Sequence, residues 1–130
     1  MKKILVIAVL LAGAFYSCKN HGNKPCSEER ETAAIIGEFP DSIKADETYT
    51  LKVKYVIENS CGSFNRFEVS QMEDVFTVKL ISKYEGCSCN LEFAEGSVDF
   101  DISIDFPGIY EYKFWQAEGE YDERTITVYE

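Results

Sequence analysis

From Val98 to Phe106 the chain alternates without a break. Val98, Phe100, Ile102, Ile104 and Phe106 take one side, and Asp99, Asp101, Ser103 and Asp105 take the other. Only an extended strand, with its two-residue side-chain period, sorts such residues onto one apolar and one polar face. Thr48–Glu58 repeats the pattern: Tyr49, Leu51, Val53, Tyr55 and Ile57 oppose Thr50, Lys52, Lys54 and Glu58, and only Val56 departs. Val75–Tyr84 offers Phe76, Val78, Leu80 and Tyr84 to one face. Ile109–Gln116 offers Tyr110, Tyr112 and Phe114, and Arg124–Tyr129 offers Ile126 and Val128. Shorter candidates are Ala33–Glu38, Phe67–Gln71 and Asn90–Ala94. Turn residues separate them at Pro40-Asp41, Glu73-Asp74, Glu95-Gly96, Pro107-Gly108 and Ala117-Glu118-Gly119. After the first segment no stretch carries a helical stripe. Seven or eight short strands joined by turns predict an all-β, antiparallel β-sandwich.

The start of the chain is of another kind. Lys2 and Lys3 precede an apolar run from Ile4 to Tyr16, followed by Ser17 and Cys18. A basic start, a short apolar run and a small residue read as a secretory signal. The run is about 13 residues, short of the roughly 20 a helix needs to cross a bilayer. The segment resembles a bacterial lipoprotein signal, in a loose form with Phe15 and Tyr16 that is similar to Bacteroidetes-type signals. That resemblance implies a signal peptide over 1–17 and a lipid on Cys18. Residues 18–31, polar and holding Gly22 and Pro25, read as a tether, and 32–130 as one sandwich domain. The tether lacks the acidic run that resembles a surface-export signal, so the expected address is the outer membrane, facing the periplasm.

The net charge of −10 disfavours nucleic acid and repels anionic headgroups, so the lipid is what would hold the protein at a membrane. Aromatic residues make up 14% of the chain, enough large side chains to build the core of a small β domain.

With Cys18 set aside, Cys26, Cys61, Cys87 and Cys89 remain. An even number in an exported domain reads as two disulfides. A thiolate metal site is the weaker reading. Cys87-Ser88-Cys89 lacks the two-residue spacer of zinc knuckles, and the single histidine, His21, lies in the tether. The up-and-down course of the strands brings all four cysteines to one end. Direct Cys87–Cys89 closure is disfavoured, because residues i and i+2 of a strand lie ~6.7 Å apart with parallel side chains. Cys61 is left to pair with either Cys87 or Cys89, and Cys26 with the other.

Asp105-Phe106-Pro107-Gly108-Ile109-Tyr110 resembles the tyrosine corner of immunoglobulin-like and fibronectin-III-like sandwiches, in which the phenol bonds backbone beside the crossover. Without a Trp in the third strand, the domain is not of the antibody type. Asn59-Ser60-Cys61-Gly62-Ser63-Phe64, Lys83-Tyr84-Glu85-Gly86-Cys87-Ser88-Cys89-Asn90 and Phe106-Pro107-Gly108-Ile109-Tyr110 together look like small exported immunoglobulin-like lipoproteins of bacteria, over most of Thr48–Tyr129. The resemblance implies Cys61–Cys89, which leaves Cys26–Cys87. It implies a fold and an address, and no activity.

No nucleophile–base set stands out, so neither an enzyme nor a cofactor is expected. Asp99 and Asp101 have the form of a paired-carboxylate or calcium site, yet a neighbouring strand carrying Lys52 and Lys54 accounts for them as cross-strand charge pairs. Trp115 follows the inward-facing Phe114 and is expected outward, either as a candidate recognition residue or lying under the Glu118–Glu123 loop or a neighbouring long side chain. Phe64, in a loop stapled by Cys61, is the second candidate. The expected function is a lipid-anchored, non-enzymatic module binding or scaffolding an envelope protein or glycan. The alternative is a protease inhibitor presenting the Ser60–Arg66 loop.

Overall fold

The structure is a computed structural model that describes residues 26–130; the signal segment, Cys18 and His21 lie outside the described residues. Nine strands follow in order: β1 (Ser27–Thr32), β2 (Ile35–Ile36), β3 (Ser42–Lys44), β4 (Thr48–Asn59), β5 (Gly62–Met72), β6 (Val75–Glu85), β7 (Leu91–Ser103), β8 (Gly108–Ala117) and β9 (Glu120–Tyr129). They form the β-sandwich that the alternation predicts. One sheet holds β1, β6, β8, β9 and β3, with β5 on the other side of β6; the second holds β2, β4 and β7.

The inward residues of the two longest alternating segments make the core. Leu51, Val53 and Tyr55 of β4 and Phe100 and Ile102 of β7 are buried from one side. Val78 and Leu80 of β6, Tyr110, Tyr112 and Phe114 of β8, and Ile126 and Val128 of β9 are buried from the other. Phe67 meets Phe100 edge-on across the interface at 4.9 Å, and within one sheet Phe76 stacks on its register partner Tyr112 at 4.7 Å. The tyrosine corner forms as expected: the Tyr110 hydroxyl donates to the Phe106 carbonyl at 2.9 Å.

Four features differ from the sequence expectation. Residues 27–31, within the stretch expected to be tether, are strand, because β1 pairs along β6 from Ser27 opposite Glu85 to Thr32 opposite Leu80. Of the expected strand Ala33–Glu38 only Ile35–Ile36 pairs as strand, and Ser42–Lys44 adds a short strand parallel to β9. Asn90–Ala94 and Val98–Phe106 merge into the single strand β7. Its Gly96 is no turn: it sits opposite Tyr55, whose ring occupies the space that a side chain there would take. Finally, the sandwich is not wholly antiparallel: β6 lies beside β8 in parallel, Val75 opposite Glu111 through Val78 opposite Phe114. The physical reason lies in β6 itself. Its Leu80, Ile81, Ser82 and Tyr84 are all buried, so it takes the interior place, while half-exposed β5 takes the edge.

Gly119 supplies the φ of 75° that the β8–β9 turn requires, whereas Glu73 takes φ 54° between β5 and β6, a conformation that ordinarily favours glycine. The edge strand β7 carries Glu95, Asp99 and Asp101, charges that discourage edge-to-edge pairing.

Candidate functional site

All four described cysteines meet at one end of the sandwich. Cys26 is joined to Cys87, and Cys61 to Cys89, with Cα separations of 5.0 and 5.6 Å. This is the pairing that the lipoprotein resemblance implies. The first bond ties the start of β1 to the β6–β7 connection; the second ties the β4–β5 corner to that same connection. Backbone bonds knit the cap: Gly86 N–H to the Cys26 carbonyl at 2.8 Å, Glu85 N–H to the Cys61 carbonyl at 3.1 Å, and Ser60 N–H to the Asn90 carbonyl at 3.0 Å. The Asn59 side chain accepts from Cys61 N–H at 2.9 Å and holds the corner. Gly86 lies at φ 139°, and a Cβ on it would stand 2.7 Å from Cys61 Sγ and 3.5 Å from Cys89 Sγ, so glycine alone fits beside the Cys61–Cys89 bond.

The expected recognition loop is largely absorbed by strand. Gly62–Met72 pairs with β6, and Phe64 packs against the core, 6.2 Å from the Tyr55 ring and 5.1 Å from that of Phe67. Phe64 is therefore a packing residue, not an exposed anchor. Ser60–Arg66 does not project as an inhibitor loop.

Trp115 keeps the outward register expected of it, out of step with buried Tyr112 and Phe114, but it is half-buried. It forms a wall of a groove of about 350 Å³, together with Ala33, Ile35, Val56 and Phe93. That volume is at the lower end of the ~300–1,000 Å³ usual for ligand sites. The groove opens where β1 leaves one sheet and crosses to become β2 of the other. The crossover is held by side chains: Gln116 Nε2 donates to the Ala34 carbonyl at 2.7 Å, and Arg124 Nη2 to the Ile36 carbonyl at 3.3 Å. Ala34 N–H also bonds the Trp115 carbonyl at 3.4 Å. Because the crossover is drawn toward β8, its ladder with β4 ends at Ile35 opposite Lys54. Ile35 and Phe93 stay 43% and 68% exposed, an unusual placement for large apolar side chains beside one another.

At its upper end the groove meets the cap through Arg30 and Tyr84. The Arg30 guanidinium lies 4.5 Å over the Tyr84 ring, and bonds Glu28 and Glu58 at 2.9 Å each. Hydrogen bonding to Glu28 raises the pKa of Arg30 above its ordinary value, and that of Glu28 is lowered in turn. The Tyr84 hydroxyl accepts from Glu58 N–H at 3.2 Å. Other cations nearby are also engaged, Lys79 with Glu31 at 2.5 Å and Lys54 with Glu95 at 3.1 Å. Sequence reasoning missed Ile35 and Phe93. Val56 left a trace, as the one apolar residue on the polar side of its strand.

The carboxylates of β7 behave as cross-strand partners. Asp99 accepts from Lys52 at 2.5 Å; Asp101 accepts from Thr50 at 2.7 Å rather than from a lysine, because the register sets Thr50 opposite Asp101 and Lys54 opposite Ser97, from where it reaches Glu95 diagonally. Among the described residues no three His, Cys, Asp or Glu side chains gather as metal ligands.

Residues 51–128 match the ORF11 beta-sandwich domain, from the middle of β4 to the end of β9. No curated protein and no solved structure matches the chain. The match spans more than half of the sequence and includes most of both sheets, and the chain belongs to the ORF11 beta-sandwich domain family.

Proposed function

We propose that the mature protein is a lipid-anchored, non-enzymatic, immunoglobulin-like module of a bacterial cell envelope that holds a partner protein in the groove beside its disulfide cap. The observation that carries this reading is the groove itself: Trp115, Ile35, Val56 and Phe93 present apolar surface to solvent at a place braced by two disulfides. A site on a rigid frame loses little conformational freedom when a partner docks, so more of the contact energy appears as affinity. The address rests on the Met1–Ser17 signal pattern and on Cys18 behind a small residue. Disulfide use fits an oxidising compartment outside the cytoplasm. The lipid would place the sandwich at the outer membrane, facing the periplasm.

Two experiments test the two halves. Metabolic labelling with a fatty acid should mark the wild type and leave Cys18→Ala unlabelled, with its precursor retaining Met1; labelling of the variant would refute the anchor. A photo-crosslinking amino acid in place of Ile35 should capture one envelope protein in intact cells, and Trp115→Ala in the same chain should reduce that capture. Equal capture with and without the Trp115 ring would refute the groove as the binding site.

A further inference from the structure

We infer that the groove binds its partner by strand addition, taking up an extended, lysine- or arginine-bearing peptide segment along the free edge of β4. The inference rests on the binding-module reading and adds to it the mode of binding and the chemistry of the partner. Antiparallel pairing of β2 with β4 runs Ile36 opposite Val53 and Ile35 opposite Lys54. Continued in register, it would set Ala33 opposite Val56. The chain departs instead, because Ala34 gives its N–H to Trp115 and its carbonyl to Gln116. Among the described residues, the edge of β4 above Lys54 is thus left without a neighbouring strand.

The backbone direction of that edge follows from β2. Ala34 turns its N–H and carbonyl to Trp115 and Gln116, and the Ile36 carbonyl accepts from Arg124, so Ile35 between them turns its own groups toward Lys54 across the ladder. Backbone groups alternate sides along a strand, so Val56, two residues after Lys54, turns its N–H and carbonyl the same way as Lys54, toward the groove. A strand laid there would find one donor and one acceptor at Val56. Its alternate side chains would fall against Ile35, Phe93 and Trp115. Backbone bonds supply affinity and the apolar wall supplies selection, the usual division in strand addition.

Charge selects the kind of segment. Among the described residues lining the groove, Glu31 and Glu58 face a single cation, Arg30; Glu31 is paired with Lys79 and Glu58 with Arg30, and Glu28 adds a further carboxylate to Arg30, so acids outnumber cations in this cluster. Glu92 flanks Phe93 on the same strand, and the whole chain carries −10. Positive side chains on the incoming strand would meet complementary potential, which favours encounter and disfavours acidic competitors.

Trp115 is the only tryptophan of the chain, so its emission reports the groove directly. The probe is a synthetic peptide of sequence lysine–valine–lysine–phenylalanine–lysine–valine–lysine, titrated into the full mature protein. A blue shift of emission should saturate, and the same peptide with glutamate for lysine should bind at least about tenfold more weakly. Two further peptides carry N-methyl groups on alternate residues, one on the odd and one on the even positions. One set should lose binding at least about tenfold and the other should retain it, because only alternate amides face β4. Val56→Pro, which removes an N–H from the open edge and not from the β7 ladder, should lose binding while the chain stays folded, with a lowered melting temperature. Equal binding of both methylated peptides, equal binding of the glutamate peptide, or no emission change with any peptide would overturn the inference. The Ile35 crosslink still decides the binding-module reading by itself, since it depends on neither peptide chemistry nor backbone pairing.

Discussion

Gly96→Ala tests whether β7 is one strand closed over Tyr55 or two strands joined at a turn. Tyr55 and Gly96 are register partners on the inner face, and Tyr55 is 9% exposed. A Cβ built on Gly96 would lie 2.3 Å from Cζ, 2.5 Å from the hydroxyl and 2.8 Å from Cε1 of that ring. Those separations are far inside contact distance, so the ring must be displaced. It cannot swing freely, because Phe64 packs at 6.2 Å. Replacing glycine in a strand ordinarily gains ~0.5–1 kcal/mol by restricting the unfolded chain. Overpacking a filled core costs ~1–3 kcal/mol. With the ring driven from its site the penalty wins, and a net loss of about 1–2 kcal/mol is expected, a fall in melting temperature of roughly 4–16 °C for a domain of this size. The decisive assay is a double-mutant cycle by urea unfolding. In a Tyr55→Leu background the obstructing ring atoms are absent, and Gly96→Ala should cost nothing or stabilise. An equal loss in both backgrounds would refute the reasoning, since a glycine needed for turn geometry is indifferent to Tyr55.

The disulfides and one buried phenol give two further expectations. Non-reducing peptide mapping should recover Cys26 with Cys87 and Cys61 with Cys89. The sequence separations of 61 and 28 residues correspond, by loop closure, to about 4.3 and 3.6 kcal/mol, so Cys→Ser pairs at either bridge should lower urea stability by ~2–5 kcal/mol. Burial pushes the Tyr112 phenol up to about 12, against ~10 in the unfolded chain. Between these values the folded chain keeps a proton that the unfolded chain has released. The stabilisation is therefore complete below pH ~10 and lost as pH rises to about 12, by roughly 2–3 kcal/mol. Urea midpoints measured across that range should fall less steeply in Tyr112→Phe; identical profiles would refute the assignment.

Much of the fold was legible because alternation is a local property. Residues such as Leu51, Val53, Phe100 and Ile102 declare their strand and their face within a few positions of sequence, whatever lies opposite. The tyrosine corner was equally local, being set by the spacing of Phe106, Gly108 and Tyr110. Gly96 misled because a glycine inside a strand and a glycine in a turn look alike until the partner strand is known. Phe64 misled for the same reason: its neighbour Tyr55 is reached only after β5 joins the opposite sheet from β4.

By itself the sequence determined the β class, the inward residues of the long strands and the convergence of its cysteines at one end, all consequences of side-chain period and chain direction. Tertiary structure alone decided that β6 lies between β5 and β8, because the choice depends on which hairpin strand can be buried on both faces. It also decided where the groove would open. That gap exists because Gln116 and Trp115, some eighty residues along the chain, bond Ala34 and draw it away from Val56. A competition between two distant strands for one backbone segment leaves no periodic trace in sequence, and it is settled only when both sheets are in place.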